Sequence, residues 1–301
     1  MIRPSILFNC LLDRGIDFFT GVPDSLLKDF CAYVTDNTDP TNNIIAANEG
    51  GAVAIACGHY LATRKISLVY MQNSGQGNAT NPLVSLADTD VYSIPVLLLI
   101  GWRGQPGKKD EPQHIKQGKI TLSFLETLRI PYRILPQSEC KVGDCIEDVI
   151  RMVRERSAPA ALVIEKGIFD SYTLKNPRNN DFELSREDAI KAIVDQMESS
   201  YIIVSTTGKT SRELYEYREL LEQDHRKDFL TVGSMGHASQ IALGIALSRR
   251  SRQVFCLDGD GAVIMHMGSL AIIGSQDVPN FKHIIINNGS HDSVGGQPTV
   301  G

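Results

Sequence analysis

Asp258-Gly-Asp-Gly-Ala262 follows an apolar run ending at Leu257, and Asn287-Asn288 closes the next such run. A Gly-Asp-Gly turn at the C-terminal end of a strand sets a carboxylate where bare backbone can approach a phosphate closely. Adjacent strand ends would bring Asp260 and Asn288 together although a helix separates them in sequence. Their carboxylate and amide oxygens are hard ligands of the kind Mg2+ takes, alongside waters and phosphate oxygens. A helix opening after Gly261 adds an N-terminus that favours the same anion. An ordinary glycine turn would leave the two asparagines unexplained. Both features in one strand–helix–strand unit point to a metal–diphosphate site.

Other residues able to do chemistry also sit at the ends of apolar runs. Glu49, in Asn48-Glu-Gly-Gly-Ala52, stands between a short strand and an Ala/Gly-rich helix. Such surroundings tend to raise a carboxyl pKa, although a first-turn acid favoured by the helix dipole would give the same pattern. Gly101-Trp-Arg-Gly-Gln-Pro-Gly-Lys-Lys109 is a glycine-rich, positively charged stretch after a strand. Arg103 is its first candidate for forked recognition of an anionic substrate group. Lys108 and Lys109 are weaker candidates, since solvated loop charge accounts for them equally well. His114 and His291 titrate near neutrality and can shuttle protons. Each alone also fits a structural role, and His291 is favoured by standing three residues past Asn288. Asn73, Ser74 and Asn78 either contact substrate or satisfy a turn. Met235, in Gly233-Ser-Met-Gly236, reads by itself as core packing.

The segments Gly259-Asp-Gly261 with Asn287-Asn288, Gly233-Ser-Met-Gly236 and Asn48-Glu-Gly-Gly-Ala52 together resemble the thiamine-diphosphate-dependent 2-oxo acid decarboxylases. The interval from Glu49 to Gly259 has no room for the middle domain of the larger members. The chain therefore resembles the compact subgroup, the phosphonopyruvate and sulfopyruvate decarboxylases. Phe19-Thr-Gly-Val-Pro-Asp-Ser25, Gln72-Asn-Ser-Gly-Gln-Gly-Asn78, Gly101-Trp-Arg-Gly104, Thr206-Thr-Gly-Lys-Thr-Ser-Arg212 and Asn287-Asn-Gly-Ser-His-Asp-Ser-Val-Gly-Gly-Gln297 favour the first of these.

The resemblance implies that Asp260 and Asn288 bind Mg2+ by side chains and Ser290 by its carbonyl. It implies thiamine diphosphate as cofactor, bent over Met235 and contacted by Ser234, Gly208, Thr210, Gly259, Gly261 and Ala262. Glu49 would activate the aminopyrimidine ring of a cofactor held by the partner subunit, so a homodimer or larger homo-oligomer with shared active sites is implied. Arg103, Lys108 and Asn78 would meet the small anionic 2-oxo acid, and His291 and His114 would handle protons. The expected reaction is non-oxidative decarboxylation of phosphonopyruvate, with sulfopyruvate decarboxylation or a non-catalytic cofactor-binding subunit as alternatives. A dinucleotide-binding oxidoreductase is disfavoured, since no Gly-x-Gly-x-x-Gly follows the first strand.

The elements that must position these residues alternate in the α/β manner. Strands are expected over 17–20, 44–46, 66–71, 96–100, 132–135 and 161–165, with helices over 23–34, 50–62, 81–89, 116–128 and 139–156. A polar stretch over 171–184 reads as a linker, and Ser185-Arg-Glu-Asp188 reads as a capping box opening the C-terminal domain. There, strands over 201–205, 229–232, 253–257 and 282–286 alternate with helices over 210–222, 238–248 and 263–273. The expected fold is two thiamine-diphosphate-binding domains, 1–170 of pyrimidine type and 185–301 of diphosphate type. Each is a mostly parallel sheet flanked by helices, and the diphosphate-type domain reads as truncated at its C-terminus.

Of the 301 residues, 42% are apolar and 22% charged, a globular composition. The net charge of -5 gives no reason to expect nucleic acid. No apolar run reaches the ~18 residues of a membrane helix. Scattered cysteines without a paired spacing suggest reduced thiols in the cytoplasm.

Overall fold

The computed structural model of the chain describes residues 1–175, 182–198 and 200–301. Residues 176–181 of the expected linker lie outside these. The chain divides into two compact units, Met1–Pro177 with Val294–Gln297 and Arg178–Ser293 with Pro298–Gly301.

The first unit runs α1 (Pro4–Leu12), β1 (Phe19–Gly21), α2 (Lys28–Asn37), β2 (Asn43–Ile45), α3 (Glu49–Thr63), β3 (Ser67–Gln72), α4 (Gln76–Pro82), β4 (Val96–Gly101), α5 (Pro112–Thr127), β5 (Tyr132–Ile134), α6 (Val142–Arg156) and β6 (Ala160–Ile164). Its six strands are parallel, in the order β2-β1-β3-β4-β6-β5. Alternation along the central strands explains why both faces are covered. Leu68, Tyr70, Leu97 and Leu99 bury one face against Leu7 and Leu11 of α1, Phe30 of α2 and Ile146 and Ile150 of α6. Val69, Met71, Leu98 and Ile100 bury the other against Ala52, Val53 and Ala56 of α3, Ala79 of α4 and Leu125 of α5. Strands β3 and β4 end in register at Gln72 and Gly101, so the loops after them leave the sheet side by side.

The second unit runs α7 (Arg186–Asp195), β7 (Ile202–Ser205), α8 (Lys209–Leu220), β8 (Asp228–Leu230), α9 (Ala238–Ser248), β9 (Val254–Gly259), α10 (Asp260–Met265), α11 (Gly268–Gly274) and β10 (Phe281–Ile286). Four parallel strands lie in the order β10-β9-β7-β8. Ala238, Ala242 and Ala246 of α9 cover one face with Val204, Val254 and Cys256. Ile190, Val194 and Leu214 cover the other with Ile203 and Leu257. The capping box forms as expected: Asp188 N–H donates to Ser185 Oγ at 3.1 Å, and Ser185 Oγ–H donates to the Asp188 carboxylate at 2.6 Å.

Element ends shift by a few residues at several places, and four of the differences are set out by local geometry. α2 starts at Lys28, because Asp24 Oδ2 accepts the Leu26 N–H at 3.1 Å and holds 24–26 in a turn. α4 starts at Gln76, and its helical path passes through Pro82 into a π-turn over Leu83–Ala87. The expected helix over 263–273 is two helices, broken at His266 (φ -133°, ψ 48°). α1, absent from the expected elements, forms with Pro4 in its first turn, where a missing N–H is harmless. Among the described residues, no helix is long and apolar enough to cross a membrane.

Candidate functional site

In the first unit Glu49 opens α3, capped by Asn48, whose side-chain oxygen accepts the Gly51 N–H at 2.8 Å. Glu49 is 4% exposed. Burial raises its carboxyl pKa above the ordinary value, opposed by Asn78, whose Nδ2 donates to Oε2 at 2.7 Å. Gly75 closes the other side, since a Cβ there would strike the Glu49 carboxylate. Gly50 is equally tight, a Cβ at that position falling 2.8 Å from the Asn78 carbonyl. α3 thus meets the turn before α4 at Gly75 and α4 itself at Gly50, and these contacts hold one acid in one place. Asn78, read from the sequence as a substrate contact, spends its amide on the glutamate.

The loops after β1, β3 and β4 form another cluster. Asn73 is fully buried; its Nδ2 donates to the Arg103 carbonyl and to Thr121 Oγ1, both at 2.8 Å, and its Oδ1 accepts the Arg103 N–H at 3.2 Å. Its amide thus joins this loop to the backbone of Arg103 and to Thr121 of α5. Ser74 Oγ–H donates to Gln72 Oε1 at 2.7 Å, and Gln72 Nε2 donates to Asp24 Oδ1 at 2.7 Å. Asp24 is fully buried, and burial raises its pKa against the pull of Gln72 and Arg103. Sequence reasoning misses this acid, although a carboxylate between Pro23 and Ser25 amid apolar residues is a signal.

Arg103 is gripped by Asp110 through Nε at 2.8 Å and Nη2 at 2.5 Å, and its Nη1 donates to Ser25 Oγ at 2.6 Å. The pair holds the Asp110 carboxyl well below the usual range and raises Arg103. Lys108 pairs with Glu165 at 3.2 Å. Lys109 is exposed, its carbonyl accepting from Lys166 Nζ at 3.1 Å. Two of the three cations of that stretch are therefore paired, Arg103 with Asp110 and Lys108 with Glu165 from the end of β6. His114 is half-buried, and burial followed by Arg103 lowers its pKa, favouring the neutral ring.

In the second unit the register Ile286↔Gly259 delivers Asp260 and Asn288 from neighbouring strand ends. Asp260 is 5% exposed and accepts a hydrogen bond from the Thr299 hydroxyl. Asn287 and Asn288 each turn back locally, Asn288 Oδ1 accepting the Ser290 N–H at 3.1 Å. Gly261 lies between two side chains: a Cβ there would meet His291 Cε1 at 2.9 Å and Met235 Cε at 3.5 Å. Left-handed Ser234 (φ 56°) and Gly236 (φ 86°) bracket Met235, and Gly236 admits no Cβ beside His266 and the Ala262 carbonyl. Burial lowers the His291 pKa while Asp260 raises it, with burial the larger. Gly208 caps α8 with φ 93°, and Thr210 is buried just after it. The structure thus gathers Met235, Asp260, Gly261, Ala262 and His291, with Asn288 and Ser290 at the adjoining strand end.

These residues fit a metal-bound diphosphate. Carboxylate, amide and backbone carbonyl are the oxygen donors a hard cation takes. Thr206 is 4% exposed, its Oγ1 is buried without a partner among the described residues, and its methyl lies 4.0 Å from where a Cβ on Gly259 would be. Such an orphan hydroxyl beside a glycine turn is a donor awaiting an acceptor. Sequence reasoning finds the Thr206–Arg212 segment without singling out this residue.

Residues 4–123 match the family described as thiamine pyrophosphate enzyme, N-terminal TPP binding domain, and residues 206–301 match its C-terminal TPP binding domain. The chain is 33% identical to a phosphonopyruvate decarboxylase of Streptomyces viridochromogenes, over all of this chain and 77% of the relative. It is 33% identical to that of Streptomyces hygroscopicus, over all of this chain and 76% of the relative. A sulfopyruvate decarboxylase of Methanosarcina acetivorans is 29% identical over 95% of this chain and 75% of the relative.

Proposed function

The chain belongs to the thiamine pyrophosphate enzymes, in the group of the phosphonopyruvate decarboxylases, and from that premise we propose that it converts 3-phosphonopyruvate to phosphonoacetaldehyde and CO2. The bond from the 2-oxo carbon to the carboxylate breaks, CO2 leaves, and a proton takes its place on the remaining carbon. Thiamine diphosphate, when bound with Mg2+, supplies the nucleophilic carbon and the electron sink for that cleavage.

Glu49 carries the reading. A carboxyl so buried, with its pKa raised and its position fixed by Asn78 and Gly75, is suited to sharing a proton with a ring nitrogen. A chain that only held a cofactor would have no use for it. Asp260, Asn288 and the Ser290 carbonyl would hold the metal, and Thr206, Gly208, Thr210, Ser234, Gly259, Gly261 and Ala262 the cofactor, with Met235 beneath its bend. Asp110 and Ser25 take three of the five Arg103 N–H groups among the described residues, leaving two for a phosphonate, with Lys108 adding charge nearby in sequence. His291 and His114, both biased to the neutral ring, would accept protons before giving them.

A homo-oligomer with shared active sites belongs to the same proposal. It is supported by the exposed apolar face of α3, made by Ala54, Ile55, Gly58, Leu61 and Ala62. A cytoplasmic location is supported by six free cysteines. The test is aldehyde release with thiamine diphosphate and Mg2+ on phosphonopyruvate, sulfopyruvate and pyruvate in parallel. Preference for phosphonopyruvate is expected. Preference for sulfopyruvate would reassign the substrate, and cofactor binding without turnover on any of them would sink the decarboxylase reading.

A further inference from the structure

Asp258 stands two residues before Asp260, in β9, and its side chain is 1% exposed. Its Oδ1 accepts the Gly259 N–H at 3.1 Å, and its Oδ2 lies 3.3 Å from His283 Nε2. His283 is on β10, where its register partner is Cys256, so the imidazole–carboxylate contact spans the two strands diagonally. His283 is itself 11% exposed, and its ring packs against Phe281 with centroids 6.1 Å apart. Cys256, Asp258 and His283 offer polar atoms all within 4.8 Å of one another, in a cluster that the proposed chemistry does not use.

A buried carboxylate is tolerated where hydrogen-bond donors satisfy it, and losing one leaves it strongly unfavourable. Here the donors are a ring nitrogen on the neighbouring strand and the first N–H of the Gly-Asp-Gly turn. The contact therefore ties two backbones together just before both deliver their oxygen ligands, Asp260 from β9 and Asn288 from β10. A small shift of one strand end against the other would spread that ligand pair.

We infer that His283 is a positioning residue for the metal–diphosphate turn, acting through Asp258 on Gly259 and Asp260. The inference rests on the reading of Asp260 as a metal ligand. Outer partners of this kind typically change metal affinity by about 10–100-fold when removed.

The test is calorimetric titration of the whole chain with Mg2+ at saturating thiamine diphosphate. His283→Leu is expected to weaken binding by about 10–100-fold. His283→Gln, which keeps an N–H donor, should stay within about threefold of wild type. Asp258→Asn should resemble His283→Leu, and the double variant should be no worse than the poorer single one, because the two side chains act as one unit. Wild-type affinity in folded His283→Leu, or losses that multiply in the double variant, would overturn the inference. If His283→Leu does not fold, affinity retained in His283→Gln and lost in Asp258→Asn supports it, and any other pattern overturns it. Asp260→Ala in the same titration separates the two ideas. Unchanged binding there removes the metal site itself, whereas loss there with normal binding in His283→Leu removes only the role of His283.

Discussion

The glutamate site of the first unit and the turn site of the second solve opposite problems. In the first unit Asn78 serves the glutamate, Asn73 serves the Arg103 backbone and Thr121, and Asp110 serves Arg103, while the buried Gln76 amide has no partner among the described residues. Around Asp260 glycines stand on both sides in sequence, and Gly261 brings the backbone against His291 and Met235 where a Cβ would not fit. One buried hydroxyl nearby, that of Thr206, has no partner among the described residues. The first arrangement suits holding a single group at a shifted pKa, which needs a fixed, dry environment. The other suits receiving a large charged group, which needs room and unspent donors. Substitutions should therefore fail differently in the two units, through turnover in the first and through binding in the second.

The largest effect is expected from Asp260→Ala: metal-dependent binding of thiamine diphosphate falls by at least about 100-fold, read by calorimetry. Binding at wild-type strength would break the comparison at its root. Glu49→Gln should bind cofactor within a few-fold of wild type, yet decarboxylate about 10²–10⁴-fold more slowly. Near-normal turnover in steady-state assays would show that the buried acid is only structural. Arg103→Lys loses the planar fork that Asp110 grips, so the KM for phosphonopyruvate should rise about tenfold while pyruvate, lacking the additional anion, changes little. Equal losses on both substrates would move Arg103 from recognition to loop support.

The smallest effect is on stability. Burial raises the Glu49 pKa in the folded chain, so the folded state binds more protons than the unfolded one as pH climbs from the ordinary glutamate value of 4.5 through the raised value. Wild-type stability should then fall across that window. Glu49→Gln should melt higher than wild type at neutral pH, with the advantage vanishing below pH 4.5. A pH-independent difference between the two melting curves would contradict the burial account.

The sheet was largely legible because strands buried on both faces leave unmistakable apolar runs, as at β3, β4 and β6. Helix edges were less so, since a side chain-to-backbone bond delays α2 and an isolated His266 splits the helix expected over 263–273. Asp260 and Gly261 stand out in sequence through the glycine turn, which is local and visible, whereas Met235 reads alone as core packing and enters only through the family resemblance. Partnership was not legible. Nothing in the order of residues says that Asn78 belongs to Glu49, that Asp110 claims Arg103, or that His283 faces Asp258. Each pairing is decided by strand register and helix contact, which are long-range properties. Asp24 carries a local signal, a carboxylate between Pro23 and Ser25 amid apolar residues, but its partner Gln72 comes from a separate strand and is equally long-range.

Gly75 sets a limit on engineering. No side chain fits between α4 and the Glu49 carboxylate, so a library randomised over 73–78 and selected for turnover should return glycine at 75 while letting its exposed neighbour Gly77 vary. Selection for binding alone would lift that restriction, and variants recovered that way would accumulate bulk at 75. Sequencing the two selected pools would thus distinguish an enzyme from a cofactor carrier without a single rate measurement.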